Sequence, residues 1–175
     1  MYNVTVNDLL ARINTATLYP PFLAKLRLAL QDCINQGYYY YVTSGERTWD
    51  EQQKLYDKGR VPINTGHHVT NAKPGFSGHN FAIATDCCHD ADINKVGLQP
   101  DYTDSHYKVL ADAGVKQGLT AGYYWTKAKE GIHDPPHLQL NIKSKGITWA
   151  KLRDEYHSGG KAQVFKYLDQ FNWDS

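Results

Sequence analysis

Apolar and polar positions recur along this chain with two periods, and the change from one to the other marks its elements. Leu9, Leu10 and Ile13 follow Thr5-Val6-Asn7-Asp8 at helical spacing, which predicts a short capped helix. Pro20 and Pro21 open a second helix with Phe22, Leu23, Leu26, Leu30, Cys33 and Ile34 on one face, and Gly37 ends it. Residues 38 to 43 are aromatic and β-branched and predict a strand. Ser44-Gly45-Glu46-Arg47 turns the chain, and Thr48-Trp49-Asp50-Glu51 is a capping box for a helix reaching about Lys58. Residues 60 to 78, with Pro62, Gly66, Pro74, Gly75 and Gly78, read as a long loop.

The pattern then predicts a short buried strand over 81 to 87 and a helix over 101 to 116, capped by Asp101 or Thr103. A short strand over 122 to 125 follows. Leu138, Leu140 and Ile142 alternate with His137, Gln139 and Asn141, which predicts a half-buried strand with His137 and Gln139 on its polar face. Thr148 caps a helix carrying Trp149, Leu152 and Tyr156; Gly159-Gly160 breaks it, and Val164, Phe165 and Leu168 mark a last helix. Helices and strands mix without a regular βαβ alternation, so the expected class is α+β.

Composition narrows the possibilities. At 175 residues the chain suits one domain with a real core. A hydrophobic fraction of 41% with 21% charged residues is ordinary for a globular protein. The formal net charge is +1 and no basic block appears, which argues against nucleic acid as a partner. Cys33, Cys87 and Cys88 make an odd count without a disulfide framework, so synthesis in a reducing compartment is expected. Met1-Tyr2-Asn3-Val4 shows no charged region leading into an apolar run, so no signal peptide is expected. No stretch approaches about 18 apolar residues, so none is expected to span a membrane.

Two stretches carry chemistry. Ser77-Gly78-His79-Asn80 through Asp86 and Asp134-Pro135-Pro136-His137 read as the two halves of a zinc site. Two His and one carboxylate leave a coordination position open, as in catalytic rather than structural zinc sites, and a remaining carboxylate can serve as base. His79 and Asp86 are separated by seven positions, so in one regular strand they would point to opposite faces. They can meet if His79 lies on the loop before the strand, which Gly78 eases, or if the strand bulges. Asp134 and His137 cannot share a helix across two prolines. An extended, polyproline-like chain sets them on one side about 9 Å apart, and an ordinary Asp-Pro turn is the alternative. Cys87, Cys88 and His89 include soft donors, but neighbours on a strand point opposite ways, and buried packing suits the cysteines better. His67 and His68 are candidates to line a cleft, and His133 to orient a substrate. His89 and His106 are the conceivable partners of a cysteine nucleophile, with no spacing to support that role.

Ser44-Gly45-Glu46-Arg47-Thr48, Glu51-Gln52 with Leu55-Tyr56, Ser77-Gly78-His79-Asn80 through Asp86, and Asp134-Pro135-Pro136-His137 together resemble the zinc peptidases that cut peptidoglycan stem peptides. These are the D-Ala-D-Ala carboxypeptidases and L-Ala-D-Glu endopeptidases, many phage endolysins among them. The resemblance covers roughly residues 5 to 142 and departs mildly at Ala82, where the family often has Gly, and at Leu138, where it often has Phe.

It implies a small antiparallel sheet flanked by helices, the hedgehog/DD-peptidase fold. The expected division is a zinc peptidase domain over 1–142 and a helical extension over 143–175 packed on the same domain. It also implies one zinc held by His79, Asp86 and His137, with Asp134 as general base and Arg47 at the developing oxyanion. Ser77 would contact substrate or shape its loop, and Gln52 would do the same or orient Arg47. The expected activity is that of an L-Ala-D-Glu endopeptidase on the bacterial wall. Its rivals are a D,D-carboxypeptidase and a catalytically inactive zinc-containing wall-binding module. A phage origin would imply a holin or another export route.

Overall fold

The computed structural model describes residues 3–60, 69–126 and 133–174. Its helices are α1 (Val6–Leu10), α2 (Pro20–Asn35), α3 (Trp49–Asp57), α4 (Asp104–Lys116) and α5 (Trp149–Leu168). Its strands are β1 (Tyr40–Ser44), β2 (Ala84–Asp90), β3 (Pro100–Asp101), β4 (Leu119–Ala121) and β5 (His137–Leu140). The sheet runs β1-β2-β5-β4, with β3 added to β2, and each pairing is antiparallel. The fold is therefore α+β, a small antiparallel sheet flanked by helices.

Local chemistry explains the boundaries nearest the site. Pro20 and Pro21 occupy the first helical positions of α2, where no amide donor is needed. Phe22, Leu26, Ala29, Leu30 and Cys33 bury one stripe of that helix. Gly37, at φ 81°, takes the left-handed conformation that ends it, donating to Ile34 O at 2.9 Å. Thr48 and Glu51 form the reciprocal capping box that starts α3. The chain reaches β2 through a 3-10 turn, Gly78–Phe81, closed by Ala82 at φ 57°. Ala82 is the single non-glycine residue with positive φ among the described residues.

Several sequence expectations need correction. The buried strand starts at Ala84 rather than 81 and runs to Asp90, because Gly78–Phe81 coils and Ala82 turns left-handed. Residues 122–124 form a 3-10 turn, and the strand lies just before it at Leu119–Ala121. The helix expected over 101–116 begins at Asp104, since Asp101 pairs with His89 in the sheet. Strand β5 is buried on both faces, including His137 and Gln139, which lie at the floor of a cleft rather than on an open surface. The Gly159-Gly160 break, by contrast, is present as expected: both residues leave helical geometry, Gly160 at φ 66°, and divide α5 into two helical stretches.

α2 and α4 pack against one another and carry the core beneath the sheet. The packing is tight: a Cβ on Gly114 of α4 would lie 2.6 Å from the Leu138 side chain of β5. Helix α5 closes the structure through aromatic contacts, Trp49 stacking on Tyr156 at 5.0 Å and Tyr19 meeting Phe165 at 5.1 Å. Among the described residues, no helix is long and apolar enough to cross a membrane.

Candidate metal centre

His79, Asp86 and His137 converge although they come from three places in the chain. His79 sits on the 3-10 turn before β2, so the loop arrangement, not a strand bulge, brings it to the face of Asp86. Asp86 and His137 are directly paired across β2 and β5. Gly78 serves by closeness rather than by backbone freedom: a Cβ there would fall 2.8 Å from Ala84 Cβ. The turn approaches the sheet tightly because both residues are small.

The protons on the two imidazoles are set by their other partners. His79 Nδ1–H donates to Gly45 O at 2.7 Å, which leaves Nε2 a lone pair facing Asp86 Oδ1 at 3.3 Å. His137 Nε2–H donates to Gln139 Oε1 at 3.0 Å, which leaves Nδ1 facing the same oxygen at 3.1 Å. Two ring nitrogens thus converge on one carboxylate oxygen. Separations of 3.1–3.3 Å fit ligands that share a tetrahedral ion, about 3.3 Å apart for bonds near 2.0–2.1 Å. Burial by itself would push the Asp86 carboxyl up, but His79 and His137 outweigh it and hold the group well below the usual carboxylate range. Burial would likewise push His137 down, but Asp86 overrides it and raises the imidazole. The Asp86 side chain is 27% exposed, so the cluster opens to the cleft.

Asp134 and His137 are not on an extended chain. His137 N–H donates to Asp134 O at 3.1 Å, closing a four-residue turn through the two prolines. The turn is tied back by Asp134 N–H to Gly122 O at 3.0 Å. Gly122 is required there, since a Cβ would lie 2.3 Å from the Asp134 carbonyl oxygen. Burial raises the half-buried Asp134 carboxyl above its ordinary value against the opposing pull of His137.

Arg47 is held from two sides, donating to Gln52 Oε1 at 2.9 Å and to Ser44 Oγ at 3.2 Å. Its guanidinium stands 3.6 Å from Asp86 Oδ2. Gln52 is fully buried and gives its amide hydrogens to Ala72 O at 2.7 Å, so its side chain is engaged within the protein. Ser77 is nearly buried and lines the cleft beside Gly78. That cleft, about 1130 Å³, is also bordered by Asp134, Tyr124 and Trp125.

Sequence reasoning passed over several supporting residues. Asn80 joins the two sides of the site, donating to Arg47 O at 3.0 Å while its Oδ1 accepts from Gly75 N–H at 3.0 Å. Trp125 lays its ring 4.9 Å from that of His137. Gly45 contributes a backbone carbonyl, which no residue type announces; the Gln139 contact, by contrast, follows from its sharing a strand face with His137. Cys87 is buried in the core, both cysteines border the cleft, and neither belongs to the ligand group. His133 pairs with Asp104 at 2.6 Å near the surface. His67 and His68 lie outside the described residues.

This fold is that of the peptidoglycan peptidases. Residues 17–141 match the VanY family, described as D-alanyl-D-alanine carboxypeptidase, and the chain belongs to that family. It is 30% identical over 108 residues to the peptidoglycan L-alanyl-D-glutamate endopeptidase CwlK of Bacillus subtilis (strain 168). That match spans 61% of this chain and 63% of the relative. The structure resembles the L-Ala D-Glu endopeptidase ChiX of Serratia marcescens with a TM-score of 0.51 at 18% identity, over 77% of this chain and 88% of the other. It resembles the vancomycin resistance D,D-pentapeptidase VanY of the VanB-type cassette, determined with Zn(II), with a TM-score of 0.53 at 20% identity, over 77% and 82%. At these identities the structural likenesses speak for the fold.

Proposed function

We propose that this protein is a zinc-dependent peptidase of peptidoglycan stem peptides and that it cuts the L-Ala-D-Glu bond. The observation that carries the reading is the convergence of two imidazole nitrogens, Nε2 of His79 and Nδ1 of His137, on one oxygen of Asp86. That set suits a two-nitrogen, one-oxygen zinc site with an open position. The relationship to CwlK supports the choice of bond.

In this reading His79, Asp86 and His137 hold the metal. A bound zinc supplies Lewis acidity and a water acidified to near neutral pH. Asp134, on the same turn as His137, accepts the proton of the attacking water and later delivers it to the leaving amine. Arg47, fixed by Gln52 and Ser44, faces the oxyanion that develops on the scissile carbonyl. Gln52 acts through Arg47, and Ser77 shapes the substrate wall of the cleft.

The test is mass spectrometry of fragments released from purified peptidoglycan, with metal analysis of the same preparation. Cleavage between L-Ala and D-Glu by a zinc-loaded protein, abolished in His79→Ala and His137→Ala together with the ion of this cleft, one per chain, is the expected result. Release of terminal D-Ala alone would make the protein a D,D-carboxypeptidase, the reading that the family description favours. Undiminished zinc in both variants would overturn the metal assignment.

A further inference from the structure

A second group of the same composition lies on the other side of the same strand. His89 follows Asp86 by three positions on β2 and so points to the opposite face. There it meets Asp101 of β3 and His106 of α4. His89 Nδ1 is 3.0 Å and His106 Nδ1 2.6 Å from one oxygen, Oδ2 of Asp101. The two imidazoles stand 5.1 Å apart at 68°, matching the 5.2 Å and 68° between His79 and His137.

The surroundings fix all three residues. The hydroxyl of Tyr107 accepts from His89 N–H at 3.3 Å and donates to Asp101 O at 3.2 Å. The hydroxyl of Tyr40 donates to His106 O at 2.6 Å. Both tyrosines are buried, so the three backbones are positioned from inside the core. The other Asp101 oxygen, Oδ1, accepts Thr103 N–H at 2.9 Å, which orients the carboxylate toward the imidazoles. Hydrogen bonds from Thr103, His106 and His89 keep that carboxyl well below its usual range and hence ionised. Access is graded, His89 being 9% exposed, Asp101 16% and His106 39%, so a solute reaches the group past His106.

We propose that His89, Asp101 and His106 form a second, non-catalytic site for a borderline divalent transition ion such as zinc. Two imidazole nitrogens and a carboxylate oxygen suit that class of ion rather than calcium or magnesium, which favour all-oxygen shells. As the atoms stand, each Nδ1–H donates to Asp101. Loading shifts each neutral ring to its Nε2–H tautomer, which frees both Nδ1 atoms for the ion, and opens the His106 contact toward the roughly 3.3 Å of shared tetrahedral ligands. His106, being partly exposed, can turn to allow this. The bound ion ties β3 and the start of α4 to the central strand, and it does so without touching the cleft.

The experiment is zinc analysis and zinc-dependent thermal unfolding of the whole chain, in wild type, His106→Gln, His137→Ala and the double variant. Gln keeps a donor for Asp101 but no imidazole, and the exposure of His106 makes the substitution tolerable. Two ions in the wild type, one in each single variant and none in the double variant are expected, with wall lysis retained in His106→Gln. One ion that His106→Gln removes and His137→Ala spares would uphold this site while refuting the cleft site. A wild type with one ion that His137→Ala removes and His106→Gln spares would overturn the proposal. So would two ions retained in His106→Gln.

Discussion

Replacing Asp134 by Asn separates proton transfer from metal binding at a single atom. Asn fits the same space and still accepts a hydrogen bond, and the turn is closed by the Asp134 backbone, not by its side chain. Zinc content and thermal unfolding should match the wild type, while wall lysis falls by about 10² to 10⁴, the usual worth of a general base. Loss of zinc would instead make Asp134 a ligand and reopen the role of Asp86. Arg47→Lys keeps the charge but not the planar fork that meets Gln52 and Ser44 together. Folding should be normal and turnover lower by roughly 10² or more, the cost of one preorganised oxyanion donor; wild-type turnover would reduce Arg47 to a brace between Ser44 and α3. At this scale the sequence exposes side-chain types and little of their orientation. His79, Asp86, Asp134 and His137 stand out because their chemistry is in their side chains. The atom that selects the His79 tautomer is the Gly45 carbonyl, a group every residue possesses.

Between elements, the sensitive point is the turn from Gly122 to Tyr124 against the turn from Asp134 to His137. Gly122→Ala places a methyl 3.0 Å from His137 Cβ as well as against the Asp134 carbonyl. The sheet should survive and the turn should shift, with metal affinity or activity lower by about 10- to 100-fold, as for other losses of support behind a ligand. Equilibrium dialysis against zinc, with circular dichroism as the control for fold, reads both effects; unchanged affinity would show that the turn tolerates displacement. The misplaced boundaries share a cause. Apolar residues 81 to 83 signal burial, and a coiled turn buries them as well as a strand does. Pro135 and Pro136 fix φ in a way that suits both an extended chain and a turn, and only the His137-to-Asp134 hydrogen bond decides between them. Periodicity found the long elements α2 and α4 because their apolar stripes extend over several turns.

For the molecule as a whole, residues 143–175 are proposed to belong to the same folding unit as the site. Leu152, Val164, Leu168 and Trp173 are buried in the common core. At about 1.5–3 kcal/mol for each large apolar side chain, their loss is comparable with the entire stability of a domain, about 5–15 kcal/mol. A chain ending at residue 147 is therefore expected to lose cooperative unfolding in a thermal scan; a sharp transition near that of the full chain would make the segment a detachable appendage. The helical pattern of this segment was legible, but its docking was not, since Tyr19, Trp49 and Phe81 lie far from it in sequence. The doubly tied turn at Asp134 has a wider consequence. Asp134 and His137 stand three positions apart on a turn closed by one backbone bond and held to Gly122 by another, so the spacing of their backbones is a local ruler that the cleft walls do not set. Rims of different length or shape can be grafted around it without recalibration. Descent within this fold can therefore change which substrate is admitted while the spacing of these two backbones is inherited intact.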